Sequence, residues 1–432
     1  MTDKRGGKRR SHYRAPGPIA IAVIGALISV GPAVAQQTVV NFLGVEAETV
    51  FAPVIAGFET ANPDIDVRYQ QVPFEDMNAS VESRVGQGDT SVDVFQTDTP
   101  RVPAYANRGF LVDLEPYRAE IEAAVSSPTA MNDVTYQGKV YAFPMWTSTQ
   151  ILYYNVDLLE KAGIPLPSAE QASRMTWEQT LDLAKKAQAA GAKWGLVLSQ
   201  IDRYYQIQPL FESAGGGPGL TGEGLLTPDL TNDAWVRTAQ WYADLFEDGV
   251  APRGVASNQT IDLFLNGETA FFVSTPWSHA RMLGVEGLRF GVAPHPYFEG
   301  GKVVTPTGSW ALGLSPQSRN QEAALKFLRY ASTSTEGASL TVAATPVIPI
   351  NKGAYAAYFE KLVGLKDKIG QMADIITYEL RDTAVSRPRT VGYVAFETAM
   401  SKALSDLRNG VPVKTVLQET QDQLASTLAR VK

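Results

Sequence analysis

Apolar positions along the first hundred residues fall into two alternating rhythms. Val39 to Leu43 is a short apolar run with the look of a strand. Phe51, Val54, Ile55 and Phe58 then recur at i, i+3, i+4 and i+7, one face of a helix that Asn62-Pro63-Asp64 stops. Asp66 to Val72 predicts the next strand, about Phe74 to Val85 the next helix, and Ser91 to Gln96 a third strand ending at Thr97-Asp98. Strands alternating with helices predict an α/β fold with a parallel sheet. Ligands bind such sheets outside the carboxyl ends of the strands, where Glu46 and Asp98 fall.

The middle of the chain has the densest punctuation. Lys139 to Phe143 reads as a strand broken by Pro144, which lacks a ladder donor. After an open stretch holding Trp146, Gln150 to Asn155 reads as a second strand. A short helix, Val156 to Ala162, stops at Gly163 with Pro165 beyond. Thr176-Trp-Glu-Gln179 has the form of a capping box and opens a helix to Ala190, followed by a strand from Trp194 to Leu198. Gly215 to Gly222 contains a formal GxGxxG, but Pro218 lies inside it and no helix follows, so it reads as a loop. Asn232 to Asp248 predicts an amphipathic helix with Trp235, Ala239, Tyr242 and Phe246 on its buried face.

Composition adds an address. Lys4, Arg5, Lys8, Arg9, Arg10 and Arg14 form a basic start, Ile19 to Val30 is apolar but short for a membrane span, and Ala33-Val-Ala35 is a small-x-small cleavage site. Residues 1–35 are therefore expected to be a signal peptide cut after Ala35, releasing a soluble periplasmic protein. Arg9-Arg10 leaves Sec or twin-arginine export open. The remainder holds 32 basic and 44 acidic residues, an acidic balance that argues against nucleic acid and anionic membranes as partners. There is no cysteine, hence no disulfide framework, thiolate metal site or lipid-bearing cysteine.

Catalytic signatures are missing. Past the leader only His279 and His295 remain, without HExxH, zinc spacing, a G-x-S-x-G elbow or a P-loop. Nothing calls for a metal or cofactor. Glu46 with Asp98 could in principle form the carboxylate pair of a glycoside hydrolase, which stands as the alternative to a binding protein.

Four landmarks in order resemble the family 1 extracellular solute-binding proteins of ABC transporters, the maltose-binding-protein-like class. They are Gly138-Lys-Val-Tyr141 to Pro144 with Tyr153-Tyr-Asn155-Val-Asp157 to Lys161-Ala-Gly163; Phe264 to Gly267, Ala270 and Pro276-Trp277; Thr307-Gly-Ser-Trp310 to Ser315; and Arg387-Pro388 to Gly392-Tyr393. The spacer Ser168 to Met175 is longer than that family's usual pattern. The resemblance spans residues 38 to 430 and implies a type II-like periplasmic-binding-protein fold of two α/β lobes. One lobe would be residues 36–148 plus 309–345, the other 149–308 plus 346–432. It also implies a monomer whose interlobe cleft closes on a ligand and then docks on a membrane permease.

Candidate ligand contacts follow from residue chemistry and from these landmarks. Trp146, Trp277 and Trp310 sit in loops or at strand ends, where an indole can stack on a sugar ring; Trp177, Trp194, Trp235 and Trp241 lie within elements and are expected in the core. Glu46 and Asp98 would accept from hydroxyls, and Arg387 and Arg389 would donate a fork to a hydroxyl pair or an anion. Gly308 and Ser309 join this set beside Trp310. A carbohydrate suits such groups; a glycerol phosphate, a polyol or a sulfonated sugar are the alternative ligand classes.

Overall fold

The computed structural model describes residues 37–308 and 310–431, so the leader reading and Ser309 lie outside the described residues. Two separate sheets organise the chain. The first has the spatial order Ile65–Gln71, Thr38–Gly44, Val94–Asp98, Trp310–Leu314 and Phe143–Pro144. Its first three strands pair in parallel, as the alternating rhythm predicts. Trp310–Leu314 returns antiparallel to both neighbours, making the sheet mixed. Pro144, expected to break its strand, instead lies on the sheet edge opposite Ala311, where a missing donor costs no ladder bond.

The second sheet runs in the order Phe290–Ala293, Ile151–Asn155, Thr269–Ser274 and Trp194–Leu198. It is buried on both faces. Leu152, Tyr154, Leu196, Leu198, Phe271 and Val273 point into a core shared with the helices Trp177–Ala189, Tyr204–Ser213, Asp233–Glu247, Tyr393–Arg408 and Val413–Leu428. Ile151, Tyr153, Val197 and Phe272 point to the opposite core, under the helices Thr260–Leu265, Ser278–Leu283, Lys352–Gly364 and Met372–Tyr378. Alternate side chains therefore serve two cores, which explains strands that are apolar throughout. The first sheet has its own core, with the helices Glu48–Ala61, Phe74–Arg84 and Gln321–Ser332.

Local rules predicted from sequence hold where the chain makes its own caps. Thr176 and Gln179 close a capping box over the helix they open. Trp235, Ala239, Tyr242 and Phe246 are all buried, and Trp235 stacks on Phe211 with ring centres 3.7 Å apart.

Three segments run between the half built on the first sheet and the half built on the second: 145–150, 294–308 and 342–351. They are tied to one another and to the chain beyond. Trp146-Thr147 pairs with Ile348-Pro349, and Thr305–Thr307 pairs with Ala384–Ser386. The carboxyl end of Val94–Asp98 is carried by Trp310–Leu314 to Pro144, just before segment 145–150. The carboxyl end of Thr269–Ser274 lies opposite Ile151, just after it. Both sheets thus turn the ends of their parallel strands toward the same connecting segment.

Candidate functional site

Asp98 ends the third strand, and Thr99 to Arg101 form a single turn of 3-10 helix behind it. Asp98 is 4% exposed, and its carboxylate is held by the full fork of Arg387, Nη1 to Oδ2 at 2.7 Å and Nη2 to Oδ1 at 2.5 Å. The two residues are 289 positions apart. Their pairing joins the end of the first sheet to the segment leading into the C-terminal helices, whose apolar side belongs to the second sheet's core. A second pair runs alongside it: Arg101 Nη2 donates to Glu397 Oε2 at 2.7 Å. Tyr393 accepts from Arg387 Nη1 at 3.2 Å and donates to Glu397 Oε1 at 3.2 Å. The Arg387 guanidinium also lies over the ring of Tyr205, 5.0 Å from its centre. Burial drives the Tyr205 hydroxyl up to about 12, and that hydroxyl shares a 2.6 Å hydrogen bond with Ser148.

Gly308 is the hub of this arrangement. It adopts φ +123°, a backbone state that side chains disfavour, and an added Cβ would meet Thr99 Oγ1 at 3.4 Å and Arg387 Nη2 at 3.5 Å. Its carbonyl accepts from Ser148 Oγ at 3.2 Å. Trp310, two residues on, is paired in register with Asp98 and half-buried. Its indole meets Phe74 edge to face at 5.9 Å. The Phe74 ring lies between two cations, Arg203 at 4.0 Å and Arg101 at 5.0 Å, and Arg203 also donates to Glu75 at 2.7 Å. Arg203 precedes the helix Tyr204–Ser213 of the second core, so this is another direct contact between the two halves.

The predicted residues divide accordingly. Asp98, Gly308, Trp310 and Arg387 meet in one cluster. Glu46 lies past the carboxyl end of the first strand beside Tyr69, whose hydroxyl donates to the Glu46 carbonyl at 2.6 Å; burial pushes the Glu46 carboxyl up. Trp146 turns toward the first core. It is 3% exposed, stacks on Phe51 and donates to Thr341 Oγ1 at 3.0 Å. Trp277 stands at the end of the Thr269–Ser274 strand, half-buried on the second sheet's outer core. Arg389 points away, donating to the Thr135 carbonyl near Asp133, and burial lowers its pKa.

Sequence reading missed Arg101, Ser148, Tyr205, Tyr393, Glu397, Phe74 and Arg203. Two of these carry a local signal: Tyr393 and Glu397 are four apart on one helix and share a face. The others come together only through the fold.

Two hollows lie close by. One of about 500 Å³ reaches Trp146 and Gly308 and is walled by both halves. Another of about 580 Å³ lies between Ala104 to Arg108 and the C-terminal helices and holds none of the predicted residues. Among the described residues no group of three or more His, Cys, Asp or Glu could hold a metal ion, and no helix is long and apolar enough to cross a membrane.

The family model for bacterial extracellular solute-binding protein matches residues 54–367. Among curated proteins, a galactooligosaccharide-binding protein of Bacillus subtilis is 25% identical over 283 residues, covering 62% of each chain; the match thus spans about three fifths of that relative. Among solved structures, the GacH receptor of Streptomyces glaucescens, determined unliganded and with acarbose, superposes with a TM-score of 0.77 at 25% identity, over 92% of this chain and 100% of that one. An ABC substrate-binding protein of Listeria monocytogenes in complex with cycloalternan gives 0.78 at 21% identity over 91% and 99%, a likeness of fold. With more than half of its length matched, and with the two-lobed fold of those structures, this chain belongs to the bacterial extracellular solute-binding protein family.

Proposed function

We propose that this protein is the substrate-binding component of a bacterial ABC importer, and that it captures a neutral oligosaccharide between its lobes and delivers it to a membrane permease. The lobes are residues 36–148 plus 309–345 and residues 149–308 plus 346–432. The observation that carries the ligand class is charge matching. Asp98 with Arg387, Arg101 with Glu397 and Glu75 with Arg203 each compensate one another across the junction. Glu46, apart from these pairs, is pushed by burial toward its neutral form. Among the described residues each arginine of this junction is matched by a carboxylate, so a phosphate or sulfonate would find no net positive charge there. The cleft offers ring surface at the half-buried Trp310 and polar groups for hydroxyls, the combination that sugar rings require. The oligosaccharides named for the related proteins point the same way.

The closed cleft holds the ligand by touching both lobes at once, so ligand binding stabilises the closed form over the open one. Asp98 acts in this scheme as a joint between lobes. With both oxygens in the Arg387 fork it is poorly placed as a nucleophile or general base, which favours binding over hydrolysis. The protein works as a monomer in the periplasm after loss of residues 1–35; a mature N-terminus at Gln36 in the soluble fraction is the expected result of N-terminal sequencing. The direct test is titration calorimetry with maltotriose, galactobiose, acarbose and glycerol 3-phosphate. Binding of a neutral oligosaccharide without turnover supports the reading. Binding of glycerol 3-phosphate alone, or product formation above a heat-killed control, contradicts it.

A further inference from the structure

The hollow of about 500 Å³ takes Thr99 and Gly308 from the edge of the Asp98–Arg387 cluster, while Asp98, Arg387, Ser148, Tyr205 and Trp310 stay out of its wall. At two points the chain passes from the hollow to the cluster between one residue and the next. Thr147 lines the hollow, while the next residue, Ser148, bonds Tyr205 in the cluster. Ser386 donates to Asp133, in the wall of the hollow, at 2.9 Å, while the next residue, Arg387, bonds Asp98. The paired segments Trp146-Thr147 with Ile348-Pro349 and Thr305–Thr307 with Ala384–Ser386 thus stand between the side chains of the cluster and a chamber behind them.

The chamber is built from both lobes. Thr129 and Asp133 come from the first, Tyr355 and Thr377 from the second, and Thr147 and Thr307 from the paired segments, their hydroxyl oxygens 3.3 Å apart. Burial pushes the Asp133 carboxyl up. Asp133, 6% exposed, accepts from Ser386 and has Arg389 nearby; Arg381 at the rim is bound to Asp382. What remains is a wall of hydroxyls with apolar surface from Tyr355 and Trp146, in a volume suited to a small organic molecule. We propose that this chamber is a second binding site, distinct from the cleft, for a small neutral polyhydroxylated molecule, a polyol or a monosaccharide. An occupant touches both lobes beside the segments about which they move, so it acts on closure and not on the sugar in the cleft. The inference does not depend on which oligosaccharide the cleft takes.

Saturation-transfer NMR with D-sorbitol as probe reads direct contact and avoids the general stabilising effect that polyols exert in melting experiments. The unaltered mature protein and a Trp310→Ala variant, which impairs the cleft, should both give transfer to D-sorbitol. Thr129→Trp, at the exposed rim, and Thr377→Phe, on the opposite wall, should each reduce that transfer at least fivefold while retaining oligosaccharide binding, which also reports that they fold. Absence of transfer in the unaltered protein, or transfer undiminished by both plugging substitutions, overturns the second site and leaves the cleft reading standing. Transfer lost in Trp310→Ala but kept in the plugged variants places the polyol in the cleft and likewise overturns it.

Discussion

Two buried ion pairs in this protein look alike on paper and differ in what surrounds them. Arg174 and Glu379 meet inside the second lobe. Arg174 Nη1 donates to Glu379 Oε1 at 2.7 Å and to the His295 carbonyl at 2.6 Å, its Nη2 donates to Gln171, and Thr383 donates to the other Glu379 oxygen. Asp98 and Arg387 meet between lobes. There Arg387 Nε and Arg101 Nη1 have no hydrogen-bond partner among the described residues. A buried charge is costly to leave unmatched, so a complete shell marks a fastening, and one with spare donors marks a place where something else is to bind or the parts are to separate. The first pair fastens the second sheet's own layers, and the second, in the proposed scheme, closes the two lobes on each other.

The largest expected effect is at the fastening. Glu379→Ala leaves Arg174 buried without its partner and should cost about 3–5 kcal/mol of unfolding free energy, read by urea melts, with oligosaccharide affinity of the folded fraction unchanged. Trp235→Ala should behave in the same way at about 3–5 kcal/mol through a core cavity. If either change altered affinity as strongly as stability, the two regions would not be separable.

Asp98→Asn should reverse the pattern. In the proposed scheme the pair it breaks forms only when the lobes are together, so calorimetry should show affinity falling by about 1–3 kcal/mol, with a smaller loss in the urea melt. Trp310→Ala should weaken binding by about 1 kcal/mol beyond the area lost, and Trp277→Ala should do the same if its indole faces the opposite wall of the cleft.

Acid sharpens the comparison from another side. His295 is buried beside Arg174, and burial with that neighbouring charge lowers its pKa from the ordinary 6.5 to about 3. Between those values the unfolded chain carries a proton on His295 that the folded chain refuses. Unfolding therefore takes up a proton, and stability falls as pH drops from 6.5 toward 3 by up to about 1.4 kcal/mol per unit. His295→Gln should flatten that slope, measured as the pH dependence of the urea midpoint, while leaving ligand affinity at neutral pH unchanged.

The sequence made the repeating parts legible and the joints illegible. The capping box at Thr176 and the buried face of Asp233–Glu247 are local chemistry, so spacing alone finds them. Asp98 and Arg387 could each be picked out as candidates, one by its strand end and one by its landmark. Their pairing could not, because a separation of 289 positions leaves no periodic trace. Trp146 shows the converse failure. Its neighbours Pro144 and Ser148 suggest an open loop, yet Phe51 and Thr341, distant in sequence, turn the indole into the first core. Pro144 likewise reads as a break, and only the sheet order reveals that it occupies an edge.

The central claim is that the lobes close on a sugar across the Asp98–Arg387 joint. The chain has no cysteine, so two can be introduced and spin-labelled without interference. Exposed Glu322 on the first lobe and exposed Lys185 on the second are suitable sites, as Glu322→Cys with Lys185→Cys. The interlobe distance distribution from double electron–electron resonance, with and without maltotriose or whichever screened oligosaccharide binds, tests the claim most directly. The account predicts a ligand-saturated distribution that is single and short, and an Asp98→Asn protein whose ligand-free distribution shifts to longer distances. A distribution unchanged by saturating ligand and by Asp98→Asn would contradict it.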